Sequence, residues 1–220
     1  MVKKICQFHA VLICFVMASQ FTYGQGTLFS DKALFQSAIT VTYLEDFETL
    51  GPGTNVFSGP FTLPSGLVVS SPTNDLFTAG PQQSTNPSQA IGSNSPPDDS
   101  LDFDLSGSFS AFGADFFQND GGGSQFPTSI SYELSFFENG AMVDSVVALV
   151  APDGGSFVGY ISDVNFDFVS AISIEPSFEV ADDVVVGFAV PEPSSFAMFA
   201  LLTMLFGLAT RRNLSDRQKR

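Results

Sequence analysis

Period-two alternation in the second half of this chain constrains its fold more than any other feature. Phe112, Ala114 and Phe116 alternate with Gly113 and Asp115, and Ile130, Tyr132, Leu134 and Phe136 alternate with Ser131, Glu133 and Ser135. Successive side chains of a strand point to opposite faces, so such runs bury one face and wet the other. Residues 143–150, 156–162, 168–174 and 178–186 continue the series. Between them stand the turn signals Glu138-Asn139-Gly140 and Pro152-Asp153-Gly154-Gly155. Turns this short join antiparallel neighbours, because a parallel pair needs a crossover of about a dozen residues or more. Further strands are expected at 40–48 and 66–71, where β-branched and aromatic residues concentrate. Strands in this number share a core only as two packed sheets. The expected fold is all-β, an antiparallel β-sandwich of jelly-roll type, with 25 phenylalanines to fill its core.

The remainder of the chain is less regular. A short N-terminal helix is expected over 31–38, capped by Ser30, with Asp31 at the positive end of its dipole and Ala33, Leu34 and Phe35 as its buried stripe. Residues 80–100 are rich in Gly, Pro, Ser and Asn and read as a long surface loop. Asn119-Asp120-Gly121-Gly122-Gly123 reads as a flexible turn and not a phosphate loop, since no helix start follows it.

The first 24 residues have the layout of a secretory signal peptide, removed by signal peptidase after passage through the general secretion machinery. Lys3 and Lys4 form a positive start, residues 8–18 are largely apolar, and Thr22-Tyr23-Gly24 places small residues at −3 and −1 of a cleavage site. Both cysteines, Cys6 and Cys14, and the only histidine, His9, lie in this segment. The mature chain is therefore expected to have no thiol, disulfide or imidazole, which excludes Ser-His-Asp and Cys-His catalysis and ordinary zinc sites. From Gln25 to Val190 a single cation, Lys32, stands against 21 acids, a net charge of −20. Such a surface repels nucleic acid and anionic membranes; it keeps a protein soluble or attracts cations.

At the other end, Pro191-Glu192-Pro193 precedes an apolar run from Phe196 to Ala209, and Arg211 and Arg212 follow at once. The run is short for a permanent anchor, which takes about 20 residues. Its basic flank fits the cytoplasmic side. The two prolines keep the segment ahead of it extended and accessible. This order of tripeptide, apolar segment and basic cluster resembles the sorting signal of bacterial PEP-CTERM proteins. The short helix followed by Asp46-Phe47-Glu48 also resembles the opening of many such exported domains. The resemblance implies that Pro191, Glu192, Pro193, Arg211 and Arg212 are substrate for an exosortase, a membrane-embedded transpeptidase. The protein would be held transiently in the inner membrane and then passed to the cell surface or extracellular matrix. The expected organisation is a signal peptide at 1–24, a β-sandwich at 25–189 and a sorting signal at 190–220, with a hydrophobic transmembrane helix at 195–210.

Within the domain, only carboxylate chemistry and hard-cation binding remain open. The first and last strands of a jelly roll are often neighbours, so Glu48, Asp182 and Asp183 are candidate ligands for a structural calcium ion. Asp182 falls in phase with Phe178, Val180, Val184 and Val186. It should therefore be buried with a partner, unless a bulge turns it outward. Asp98, Asp99, Asp102 and Asp104 lack an EF-hand pattern and read as solvated loop and strand-edge residues. The favoured function is a non-enzymatic surface or matrix protein. A calcium-dependent module binding extracellular polysaccharide and a carboxylate-dependent hydrolase are the alternatives, the hydrolase weakened by the lack of arginine in the domain.

Overall fold

The computed structural model describes residues 26–50, 56–80, 89–93, 99–119, 129–151, 155–175 and 177–190. The signal segment, the sorting signal from Pro191 onward with the helix expected at 195–210, Asp98 and the turn residues 120–123 and 152–154 lie outside the described residues. The chain divides into two compact units, Met1–Phe188 and Ala189–Arg220, and the sandwich belongs to the first.

In chain order the elements are β1 (Thr27–Phe29), α1 (Lys32–Ser37), β2 (Ile39–Glu45), a 3-10 turn (Glu48–Leu50), β3 (Val56–Phe57), β4 (Phe61–Thr62), β5 (Val68–Ser70) and β6 (Leu76–Ala79), followed by β7 (Ala90–Ser93), β8 (Leu101–Asn119), β9 (Ile130–Glu138), β10 (Ala141–Val150), β11 (Ser156–Ser173) and β12 (Phe178–Ala189). The expected all-β antiparallel sandwich is the fold, and its two layers are stitched together by β8 and β11. The first part of β8 (101–104) lies between β5 and the last part of β11, which continues to β9 and β10. The last part of β8 (111–119) lies between the first part of β11 and β12, which continues to β7, β6 and β3. Both long strands bend where their common ladder shifts register, around Phe109 and Phe166. Strands that switch layers through bulges are the usual way to turn a sandwich corner.

This arrangement corrects the sequence reading, which made 156–162 and 168–174 separate strands. Asp163, Val164 and Asn165 break the apolar pattern because they sit on the outside of the bend, whereas Phe166 is fully buried inside it. Rings from the two layers meet in the core. Phe116 lies 4.9 Å from Tyr132, Phe136 lies 4.8 Å from Tyr160, and Phe103 lies 5.2 Å from Phe112. Tyr132, wholly enclosed, donates its hydroxyl to the Phe117 carbonyl at 2.8 Å, which removes the cost of burying it.

Two other expectations are corrected. In α1 only Phe35 is buried, while Ala33 and Leu34 face solvent, and the cap is Asp31, whose Oδ1 accepts the Leu34 N–H at 2.9 Å. Six residues make too few turns for a stripe, so one large ring does the docking. That ring sits on the paired glycines Gly113 and Gly159, where an added Cβ would come within 3.0 Å and 2.6 Å of it. The segment read as a long surface loop contains β7, all four residues of which are buried between β6 and β12. Its Ala-Ile-Gly-Ser sequence carries little alternation because both of its faces are covered.

Candidate functional site

The sequence after β2 folds into a knot of carboxylates. Phe47 is fully buried with a left-handed backbone (φ 54°), a conformation costly for a bulky residue. Glu45 holds it: one carboxylate oxygen accepts the Phe47 N–H at 3.1 Å and the other accepts the Ser65 hydroxyl at 2.6 Å. Asp46 accepts the Glu48 N–H, and Glu48 Oε1 accepts the Gln89 N–H at 2.9 Å, tying this turn to the start of β7. The buried Gln89 Oε1 has no hydrogen-bond partner among the described residues.

Asp182 and Asp183 lie at a bulge in β12, the strand that pairs with β2 and with β7. The register against β8 shifts between Asp182 and Val185, and Asp183 takes a left-handed backbone (φ 51°). Both residues therefore fall on the outer side of the layer, while Val184 and Val186 return to the inner core. Asp182 is wholly buried, and its Oδ1 accepts the Asp183 N–H at 2.7 Å. Asp183 Oδ2 meets Lys32 Nζ at 2.5 Å, and Asp115 Oδ2 meets the same nitrogen at 2.9 Å. Burial pushes the Asp115 carboxyl up, against the pull of Lys32. Burial pulls Lys32 down, but the hydrogen bonds it donates to Asp183 and Asp115, with the attraction of both charges, outweigh it and leave the amine above its ordinary value. The structure thus joins Asp182 to Asp183 and adds Asp115 and Lys32 to them. Among the described residues no group of three or more His, Cys, Asp or Glu is placed to hold a metal ion. Sequence reasoning did not single out Asp115 or Lys32 as a pair; the signal was that Lys32 is the one cation in the span.

The acids at the start of β8 are not merely solvated. Asp99 is fully buried and accepts from the Thr73 hydroxyl at 2.7 Å, and Asp102 Oδ1 accepts from Ser100 and Ser170, both at 2.7 Å. Glu179, also fully buried, accepts from the Ser93 hydroxyl at 2.7 Å and the Ser173 N–H at 3.0 Å. Burial, with Asp99 nearby, pushes its carboxyl up to about 7.

The outer face of the β10-β9-β11-β8-β5 layer carries a polar row. Ser145, Ser135, Ser170, Asp102 and Ser70 stand in register across five strands. The adjoining row holds Phe137 and Phe168, whose rings meet edge to face at 5.6 Å.

Comparisons with known proteins bear on the C-terminal end. No curated protein matches the chain. A crystal structure of the N-terminal xylanase 10B of Clostridium thermocellum, its CBM22-1 and GH10 modules complexed with xylohexaose, is similar over 67% of this chain and 28% of that one. Identity is 9% and the TM-score 0.37. A family model described as the PEP-CTERM protein-sorting motif matches residues 189–213, which include Pro191, Glu192, Pro193, Arg211 and Arg212. The chain carries the PEP-CTERM protein-sorting motif, the mark of an exported exosortase substrate.

Proposed function

We propose that this protein is a non-enzymatic component of the cell surface or extracellular matrix, its acidic β-sandwich delivered there by processing at Pro191-Glu192-Pro193. The motif at residues 189–213 carries the reading. The buried carboxylates Glu45, Asp99 and Glu179 each accept hydrogen bonds from backbone or hydroxyl donors, which is the work of structural acceptors. The apolar segment after the tripeptide holds the chain in the inner membrane until the exosortase acts. Among the described residues no helix is long and apolar enough to cross a membrane. Changing Pro191→Ala and Pro193→Ala together should leave the uncut chain in the inner membrane and deplete the surface form, as fractionation and immunoblotting would read. Unchanged processing and location would refute the assignment.

The polar row on the outer sheet face favours a second reading, polysaccharide binding on the same route. Hydroxyls and one carboxylate beside an aromatic pair offer donors, acceptors and an apolar edge to an extended sugar chain. Phe168→Ala should then abolish retention on the binding polysaccharide; no retention of the full chain on any of a panel of matrix polysaccharides would remove this reading. Calcium is to be sought at Glu48 with the Gln89 side-chain oxygen and at Asp182 with Asp183, where it would have to displace Lys32. Melting of the full chain in calcium and in EDTA decides between a structural ion and none.

A further inference from the structure

We infer that Lys32 and Asp183 become joined by an intramolecular amide bond, with Asp115 moving the protons. The geometry brings the reactants together. Lys32 Nζ stands 2.5 Å from Asp183 Oδ2, closer than the roughly 2.7–2.9 Å usual for a charged N–H···O bond. Asp115 touches the same nitrogen at 2.9 Å from the neighbouring strand. These are the ion pairs of Lys32, the single cation between Gln25 and Val190, and it is committed to this one place among 21 acids.

The backbone is built to hold Asp183 there. Asp183 has positive φ although it is not glycine, at a bulge fixed by the Asp182 carboxylate accepting its N–H at 2.7 Å. Left-handed non-glycine residues persist where their surroundings over-determine them, and they cluster at functional sites. The site is half-enclosed, its three side chains between 22% and 28% exposed. In register, Asp115 lies between Phe157 and Asp182, both buried, and Phe157 packs with Phe35 of the same helix that carries Lys32.

The chemistry balances without any co-reactant. Asp115 takes a proton from the Lys32 ammonium, and burial has already raised this carboxyl towards its neutral form. The free amine attacks Asp183 Cγ, forming the N–C bond. The tetrahedral intermediate then loses one carboxyl oxygen as water, that oxygen receiving the Asp115 proton and the second amine proton. One ammonium and one carboxylate become one amide and one water, and Asp115 ends as it began. Condensation is unfavourable in bulk water, but positioning of this kind supplies effective molarities of about 10⁵ M or more. The bond would tie α1 to the last strand across 151 residues of chain, eight residues before Pro191. It would give an exported domain without cysteine a covalent cross-link of the kind disulfides provide elsewhere.

The test is peptide mapping of the full chain, purified in detergent, denatured and cut after glutamate. The expected result is a branched species joining the fragment that contains Lys32 and ends at Glu45 to the fragment that begins at Val180 and contains Asp183, which runs on past Glu192 because the Glu192-Pro193 bond resists this cleavage. Its mass should be lower than their sum by one water. Lys32→Arg and Asp115→Asn should each abolish it while the circular dichroism of the sheet is retained. The two fragments released separately from folded wild-type protein, at their full masses, would overturn the proposal. That measurement decides the matter even if a variant fails to fold, and a branch persisting in Asp115→Asn would overturn the role given to Asp115.

Discussion

Carboxylates dominate this domain, and what each one does depends on the donors within reach of its oxygens. Glu45 spends both oxygens on holding the left-handed Phe47 and Ser65. Replacing Glu45 with Ala strands two donors beside a strained residue, so chemical denaturation should show a loss of about 2–4 kcal/mol. Glu179 behaves differently because its burial is only partly compensated, which lifts its carboxyl from the ordinary 4.5 to about 7. The folded chain then binds this proton more tightly than the unfolded chain. The stabilisation is complete below pH 4.5 and is lost as pH rises from there through 7. The shift is worth about 3 kcal/mol over that window. Burial pushes Asp102 and Asp115 in the same direction. Melting temperature should accordingly be higher at pH 5.5 than at pH 8, and Glu179→Gln should flatten that slope.

At the scale of elements, α1 is too short to be stable alone and survives by one docked ring. Phe35→Ala would remove that ring from the Gly113–Gly159 platform, with an expected loss of about 3–5 kcal/mol. Gly113→Ala attacks the same joint from below, since its Cβ would press on Phe157 at 2.6 Å and Phe35 at 3.0 Å. An overpacking cost of about 1–3 kcal/mol is expected from equilibrium unfolding. The edge strand β10 gives the contrast. Val147 and Leu149 are 53% and 70% exposed on its outer side. Changing either to Thr should move stability by no more than about 0.5 kcal/mol in the same assay.

For the whole molecule, a net charge of −20 on the span from Gln25 to Val190 means that repulsion opposes the compact state. The charges that Lys32 neutralises are local, so screening should help everywhere else. Raising sodium chloride from about 10 mM to about 0.5 M should raise the melting temperature at pH 8; no rise would mean that bound cations already neutralise the surface.

The sequence alone determined the strand periodicity, the antiparallel sandwich and the sorting signal, because each is written in local order: alternation, turn residues, and a tripeptide followed by an apolar run and arginines. Inward positions such as Phe112, Ala114, Phe116, Leu134 and Phe136 were legible for the same reason. It left β7 looking like loop, because a strand covered on both faces has no alternation to display. It divided β11 in two, because a bend and a break in pattern look alike along one dimension. Asp182 is buried, but on the opposite side of the layer from Val184 and Val186, because the bulge breaks the phase they would share. A bulge is set by the partner strand and not by the bulged residues, and Asp115 lies 67 positions earlier in the chain than Asp182. Only the tertiary structure brought the one lysine onto two aspartates, because contacts across distant strands depend on register, and register is decided by the whole core at once.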